Sequence, residues 1–127
     1  MIDVLLATYR PNADWLKAQV DSIRAQRGVD LNLICREDAA GEGARANFAA
    51  LLQTSTAEYA AFADQDDVWL PDKLAKCLEK MHELERRWGA DTPLLVFSDA
   101  RVVDADLKPL SESLLRLIRI NPLRNHP

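Results

Sequence analysis

The segment YAAFADQDDVW at residues 59–69 decides how the chain is interpreted. A short apolar run ends there in three carboxylates, Asp64, Asp66 and Asp67. Side chains two positions apart at a strand end point to the same side, so the oxygens of Asp64 and Asp66 can converge on one hard cation such as Mg²⁺ or Mn²⁺. Negative charges this close repel one another, and a bound cation lowers that cost. The segment therefore predicts a strand that ends in a metal site.

Predicted strands and helices alternate on both sides of this segment. Apolar or alternating runs predict strands at residues 2–8, 31–36, 59–63 and 94–97, with residues 102–103 as an extension or a separate edge strand. Apolar residues three and four positions apart predict helices that follow Asn12 or Asp14, that cover residues 44–54 and 71–88, and that cover residues 114–120. This order predicts an α/β fold, a mostly parallel sheet flanked by helices.

The carboxyl ends of these strands are the predicted place for a ligand. In open parallel sheets, ligands bind beyond the carboxyl ends of the strands. Polar residues follow each predicted strand, and they are Thr8, the group 36–38, the acids of 64–67, and Ser98 with Asp99. We therefore expect these residues to lie along one edge of the sheet.

Composition narrows the class of protein. A chain of 127 residues has room for one hydrophobic core, and 48% hydrophobic with 28% charged residues excludes wholesale disorder. The net charge of −4 argues against nucleic acid as a partner. Cys35 and Cys77 lie far apart without metal-ligand spacing, which predicts reduced thiols in a cytoplasmic protein, with one disulfide as the alternative.

Four motifs resemble family-2 glycosyltransferases, most closely the rhamnosyltransferase-like branch that acts on cell-surface polysaccharides. The motifs are LLATY at 5–9, NF at 47–48, FADQDDVW at 62–69 and PDKL at 71–74. The resemblance covers roughly residues 2–113. It implies the GT-A nucleotide-diphospho-sugar transferase fold and an inverting, metal-dependent transfer to a saccharide or lipid-linked acceptor.

The resemblance also implies roles for particular residues. Residues 64–67 match a DxD-type motif, which implies that Asp64 contacts the donor ribose or the metal shell and that Asp66 ligates Mg²⁺ or Mn²⁺. Thr8 and Tyr9 match the first nucleotide-contacting segment. The cation would neutralise charge that develops on the departing diphosphate.

The sequence departs from the family pattern in two places. The turn after the second strand is EDAAG at 37–41, where the family has Asp-Asp-Gly-Ser. The chain therefore looks internally shortened. Asp38 is the nearest match to the acid that contacts the nucleobase in the family. The family also continues well beyond Pro127 and carries its acceptor site and general base there. We therefore expect a truncated, donor-binding domain at residues 1–113, followed by a helix and tail at 114–127, with no catalytic base assigned, since the resemblance does not give Asp99 that role.

Other interpretations remain open. Asp66 or Asp67 could cap the following helix or form an Asx turn. Trp69 could pack over the acids or form a sugar platform. Arg45 and Asn47 could meet a diphosphate at a helix N-terminus or be surface groups.

Two other functions also fit the sequence. The chain could be a catalytically incomplete nucleotide-sugar-binding module. Residues 64–68 also fit the DxDxV signature of haloacid-dehalogenase-type phosphatases, with Asp64 as nucleophile and Ser98 as the second motif.

Residues 114–120 are apolar with interspersed arginines, which suits the inner face of an anionic membrane, self-association or packing on the sheet.

Overall fold

The computed structural model describes residues 1–121. The chain divides into two compact units, Met1–His82 and Glu83–Pro127. The elements in chain order are β1 (Ile2–Thr8), α1 (Ala13–Arg24), β2 (Leu31–Glu37), α2 (Ala44–Thr54), β3 (Tyr59–Ala63), α3 (Lys73–Trp88), β4 (Val102–Val103), β5 (Pro109–Ser111) and α4 (Leu114–Leu117). The alternation of strands and helices up to α3 confirms the predicted α/β class.

The first unit is built on a three-stranded parallel sheet with the order β2-β1-β3. Thr8 at the end of β1 pairs with Glu37 of β2, and Leu6 pairs with Ala63 of β3, so the three carboxyl ends meet at one edge. Every residue of β1 is buried. A central strand covered on both faces has no solvent side, which explains why its sequence is nearly continuous in apolar residues.

Alternate residues of β1 contribute to two separate cores. Val4 and Leu6 pack in a cluster that includes Ile23 of α1 and Leu74 of α3. Leu5 packs in the other cluster with residues of α2. Helices therefore cover both faces of the sheet, as the two-residue period of strand side chains requires.

The helix boundaries follow local hydrogen bonds. The Asn12 side chain accepts from the N–H groups of Asp14 and Trp15 at 3.0 and 3.1 Å, so Asn12, and not Asp14, caps α1. The prediction that Pro71 lies in the first turn of α3 is wrong, because that helix begins at Lys73. The Pro71 carbonyl instead accepts the N–H of Arg27 at 2.8 Å, in a turn before the helix.

In the second unit the prediction of a strand at residues 94–97 is wrong, because residues 93–100 adopt no regular structure. Leu95 and Phe97 are 78% and 58% exposed. An apolar run forms a strand only when another strand accepts its hydrogen bonds, and its sequence cannot guarantee such a partner. Asp99 is consequently not a strand-end acid. Its carboxylate accepts from Ser113 Oγ and from the Leu115 N–H, which lowers its pKa.

The short elements of the second unit settle two further predictions. Residues 102–103 form a separate antiparallel pair with β5. The helix expected over 114–120 ends at Leu117, and Arg119 has a φ of 60°, a left-handed conformation that breaks a helix. The boundary predicted after Ser113 stays a prediction, and residues 122–127 of the predicted tail lie outside the described residues.

Two further features concern membrane-spanning helices and disulfide bonds. No helix within residues 1–121 has the length and apolar character needed to cross a membrane. Cys35 and Cys77 are both free thiols, so the alternative of a disulfide between them is wrong.

Candidate functional site

A pocket of about 380 Å³ lies at the carboxyl edge of the parallel sheet. Its walls come from the end of β1, the loop after β2, the start of α2 and the segment after β3. The lining residues are Ala7, Thr8, Tyr9, Asp38, Gly41, Gly43, Ala44, Asn47, Phe48, Asp64, Gln65 and Asp66. All five residues predicted for donor and metal binding, Thr8, Tyr9, Asp38, Asp64 and Asp66, are therefore brought together, from three separate loops.

Asp64 and Asp66 present open carboxylates to this pocket. Both residues are exposed, and within residues 1–121 their side chains make no hydrogen bond or ion pair. Helix α3 begins only at Lys73, so neither Asp66 nor Asp67 is its N-cap. The capping interpretation of these acids therefore finds no support in the structure.

Asp67, the third acid of this segment, is affected by the charges of the other two. Its pKa is raised, first by partial burial and then by repulsion from Asp64 and Asp66, while Lys73 acts in the opposite direction. Asp67 does not line the pocket. Of the three clustered acids, Asp64 and Asp66 thus line the pocket, and a positive ion beside them would relieve a repulsion that reaches Asp67.

Asp38 lines the pocket and also accepts hydrogen bonds from the backbone of the neighbouring loop. The residue is buried, and its carboxylate accepts from the N–H groups of Glu42 and Gly43 at 2.9 and 2.8 Å. These bonds hold the pKa of Asp38 below its ordinary value. They also fold the 39–43 loop back on itself, which needs a positive φ at Gly41 and at Gly43. A nucleobase contact by Asp38 stays a prediction.

Tyr9 forms the side of the pocket that faces this loop. Its ring lies next to Gly41, where an added Cβ would stand 3.7 Å from the Tyr9 hydroxyl. The Tyr9 N–H donates to Gln65 Oε1 at 2.7 Å, and Gln65 Nε2 donates back to the Tyr9 carbonyl at 3.1 Å. The Gln65 side chain thus joins the acid cluster to the end of β1. It donates one hydrogen bond to the Tyr9 backbone and accepts one from it, as a residue of a neighbouring strand would.

Asn47 ties together the ends of β1 and β2. It is buried, its Nδ2 donates to the carbonyls of Arg36 and Thr8 at 3.1 and 3.3 Å, and its Oδ1 accepts from Arg36 Nη1 at 2.9 Å. Its polar atoms are therefore engaged by the protein, which favours a structural role over a diphosphate contact. Arg45 is exposed and does not line the pocket.

Trp69 packs in the core of the first unit. It is buried, and Lys73 Nζ lies 5.2 Å from the centre of its ring. The packing interpretation is therefore confirmed and the sugar-platform interpretation is wrong.

Sequence reasoning missed two glutamines that hold the acid cluster. No role is predicted for Gln65 from the sequence, although it makes the paired bonds to Tyr9. Gln19 of α1 is fully buried, and its Nε2 donates to the Asp64 carbonyl at 2.8 Å. The available signal was a glutamine between Leu16 and Ile23 on the apolar side of a helix, because a buried amide needs a partner.

The residues present fit a cation that arrives with a phosphate ligand. Within the described part of the chain, no group of three or more His, Cys, Asp or Glu side chains could hold a metal alone. Mg²⁺ in phosphate-binding sites typically uses one or two protein carboxylates, with substrate phosphates and water as its other ligands. Asp64 and Asp66 supply two carboxylates at one pocket wall.

The comparisons with known proteins agree with this geometry. No curated protein matches the chain. Residues 17–90, more than half of the chain, match the description "Glycosyl transferase family 2". The match includes the acid cluster and all of α2, β3 and α3. The chain belongs to glycosyl transferase family 2.

Proposed function

We propose that the pocket binds a nucleotide-diphosphate sugar and that the protein transfers a hexosyl or deoxyhexosyl group, with rhamnosyl as the first candidate, to a saccharide or lipid-linked acceptor. Membership of the family supports a glycosyltransferase role. The observation that carries the proposal is the convergence of Thr8, Tyr9, Asp38, Asp64 and Asp66 on one pocket. Its volume of about 380 Å³ is in the range of small-ligand sites.

The two ends of the donor would meet different walls. Asp64 and Asp66 would hold Mg²⁺ or Mn²⁺ against the diphosphate, and the bound cation supplies Lewis-acid stabilisation of the departing charge. Asp38 follows β2, on the other side of the central strand β1 from the acids that follow β3, and with Tyr9 it would border the nucleobase and ribose. Gln65 fixes the distance between the two walls, since it bonds to the Tyr9 backbone.

An inverting transfer also needs a base for the acceptor hydroxyl. The hydroxyl attacks the anomeric carbon from the face opposite the diphosphate while a carboxylate removes its proton. The acids that line this pocket are Asp38, Asp64 and Asp66. Asp38 is bonded to backbone N–H groups, and the other two are assigned to the cation, so we assign no base. This supports a second candidate, a module that binds nucleotide-sugars without turnover.

The fold does not favour the phosphatase alternative. In that class the acid motif follows the first strand, whereas here Asp64 follows β3, an outer strand of the sheet. Ser98 does not follow a strand.

Calorimetric titration with UDP, dTDP and GDP, with and without Mn²⁺, tests the proposal. We expect binding of at least one diphosphate to require Mn²⁺ and to be abolished in Asp66→Ala, since that variant removes a cation ligand. Asp30→Ala is the matched control because it removes an exposed acid that does not line the pocket. An affinity that is the same with and without Mn²⁺, or the absence of binding, would contradict the metal-dependent donor site.

Product assays separate the candidates. Release of nucleotide diphosphate from nucleotide-sugars in the presence of acceptor indicates a transferase, and tight binding without release indicates a binding module. Turnover of a phosphomonoester that is lost in Asp64→Asn would instead identify a phosphatase.

Residues 114–120 support a proposed surface contact in the cytoplasm, either with the inner membrane face or with a second copy. Leu117 and Ile118 are 60% and 51% exposed, beside Arg116 and Arg119. Co-sedimentation with phosphatidylglycerol vesicles and sedimentation velocity test the two contacts. We expect Ile118→Ser to weaken whichever is present, and the proposal is wrong if the protein stays monomeric and unbound.

A further inference from the structure

A polar stripe on helix α1 holds the backbone of the acid segment, which we define as residues 64–69. The stripe consists of Gln19, Ser22 and Gln26, which lie three and four positions apart and so share one helix face. Gln19 is fully buried, and its Nε2 donates to the Asp64 carbonyl at 2.8 Å. Its Oε1 lies 2.9 Å from Ser22 Oγ, so both ends of the amide are fixed.

The same stripe continues along the turn that follows the acids. Ser22 Oγ accepts the N–H of Trp69 at 3.0 Å. Gln26 Nε2 donates to the Leu70 carbonyl at 2.8 Å, and its Oε1 accepts the N–H of Leu74 at 2.9 Å. The three polar side chains on this face of α1 thus contact the backbone from Asp64 to the first turn of α3.

These contacts bear on the orientation of Asp64 and Asp66. The Asp64 carbonyl is bonded to α1, while the Asp64 side chain lines the pocket. Gln65, the next residue, is bonded to Tyr9 on the other side of the segment. The segment is therefore held at two adjacent residues, through the backbone of Asp64 and through the side chain of Gln65, so the backbone positions from which the two carboxylates project are fixed.

We propose that Gln19, supported by Ser22 and Gln26, is a positioning residue that fixes the acid segment so that Asp64 and Asp66 meet the cation together. This inference rests on the proposed function. A cation-diphosphate site loses affinity when its carboxylates are displaced by small distances, and outer partners of metal ligands typically contribute 10–100-fold to metal affinity. Gln19 acts through the backbone of Asp64 and touches neither donor nor cation.

The test compares Gln19→Met with Ser55→Ala. Methionine keeps the length and the unbranched shape of glutamine but cannot donate to the Asp64 carbonyl. Ser55→Ala removes a hydrogen bond to Asp3 at the opposite end of the sheet and so controls for lost stability. Gln26→Met, which removes the partners of Leu70 and Leu74 from a partly exposed position, serves if Gln19→Met does not fold.

Two measurements are made on each variant well below its Tm. The first is the affinity for Mn²⁺ in the presence of saturating UDP, dTDP or GDP, whichever binds best. We expect it to fall about tenfold in Gln19→Met and to stay unchanged in Ser55→Ala. The second is hydrogen exchange of the free protein, which we expect to accelerate over residues 64–74 in Gln19→Met and not in Ser55→Ala.

Each outcome decides between the two proposals. Wild-type Mn²⁺ affinity in Gln19→Met overturns the positioning role and leaves the donor site intact. An equal loss in Ser55→Ala also overturns it, because general destabilisation would then explain the effect. Absence of Mn²⁺-dependent binding in the wild type overturns the proposed function itself, and unchanged exchange over residues 64–74 would show that Gln19 does not hold the segment.

Discussion

At the amino end of the parallel sheet Asp3 is surrounded by donors, whereas at the carboxyl end the side chains of Asp64 and Asp66 have none among residues 1–121. Asp3 is buried and accepts from Ser55 Oγ at 2.7 Å, from the N–H groups of Thr56 and Ala57 at 3.0 and 3.1 Å, and from Asn32 Nδ2 at 3.1 Å. These bonds, with Ser55 the largest contribution, lower its pKa from 3.8 to about 2.

The acid segment at the other end has the opposite character. Asp64 and Asp66 point into a pocket, and the pKa of Asp67 is raised by partial burial and by repulsion from both. The contrast shows that carboxylates at the two ends of the sheet have opposite effects on the stability of the fold. An acid whose oxygens accept hydrogen bonds from the protein stabilises the fold. Acids that lack such donors and repel one another destabilise the fold until a cation or other ligand binds.

Substitution of Asp3 should produce the largest effect on stability. Asp3→Asn replaces an acceptor oxygen by an NH₂ group that faces other donors. We expect Tm to fall by roughly 10 °C, because buried N–H groups lose their acceptor. Differential scanning calorimetry measures the change. Binding of Mn²⁺ and nucleotide diphosphate at low temperature should persist, and its loss would mean that the two ends of the sheet are not independent.

Acid titration should show the same contrast without a mutation of the pocket. The folded-state pKa of Asp3 is about 2 and its ordinary value is 3.8. A lowered carboxylate pKa contributes stability that is fully present above 3.8 and is lost as the pH falls towards 2. We expect the wild type to lose several degrees more in Tm than Asp3→Asn over that window. Parallel curves would contradict the assignment of this pH dependence to Asp3.

Much of this arrangement could be predicted from the sequence. The apolar run of β1 specified a buried strand, and the rule that parallel strands end at one edge placed Thr8, Asp38 and Asp64 together. The same reasoning failed at residues 94–97, because the run is equally apolar but a strand also depends on a partner. Periodicity describes which side of an element is apolar, and it does not specify which other element that side meets.

The bonds that fix the pocket acids could not be predicted for a related reason. Gln65 meets Tyr9 across 56 positions, and Gln19 meets Asp64 across 45. Both contacts join one side chain to a distant backbone, so they leave no repeating pattern in the sequence. The three-acid motif was visible because its members are adjacent, and its supports were not.

Ligand stabilisation should give a smaller shift that is confined to the carboxyl end. With Mn²⁺ and a nucleotide diphosphate at ten times Kd, linkage predicts about 1.4 kcal/mol, or roughly 5 °C in Tm. We expect this shift in the wild type and in Asp3→Asn, measured from each protein's own Tm, and not in Asp66→Ala. Thermal shift assays with Mn²⁺ alone provide the control. A full shift in Asp66→Ala would show that the ligand binds elsewhere.

The smallest predicted effect concerns Asp67, the acid that lies outside the pocket. A raised folded-state pKa means that ionisation of Asp67 opposes folding, so Asp67→Asn should gain stability at neutral pH. The gain should be only about 1–2 °C in Tm, since Asp67 is only partly buried and solvent screens its charge, and it should vanish below pH 3.8, where Asp67 is protonated in both states. Asp3→Asn has the opposite sign at neutral pH. Unchanged Mn²⁺-dependent binding in Asp67→Asn would support a cation site of two acids, Asp64 and Asp66. A loss of binding as large as that in Asp66→Ala would instead identify Asp67 as a third ligand of the cation.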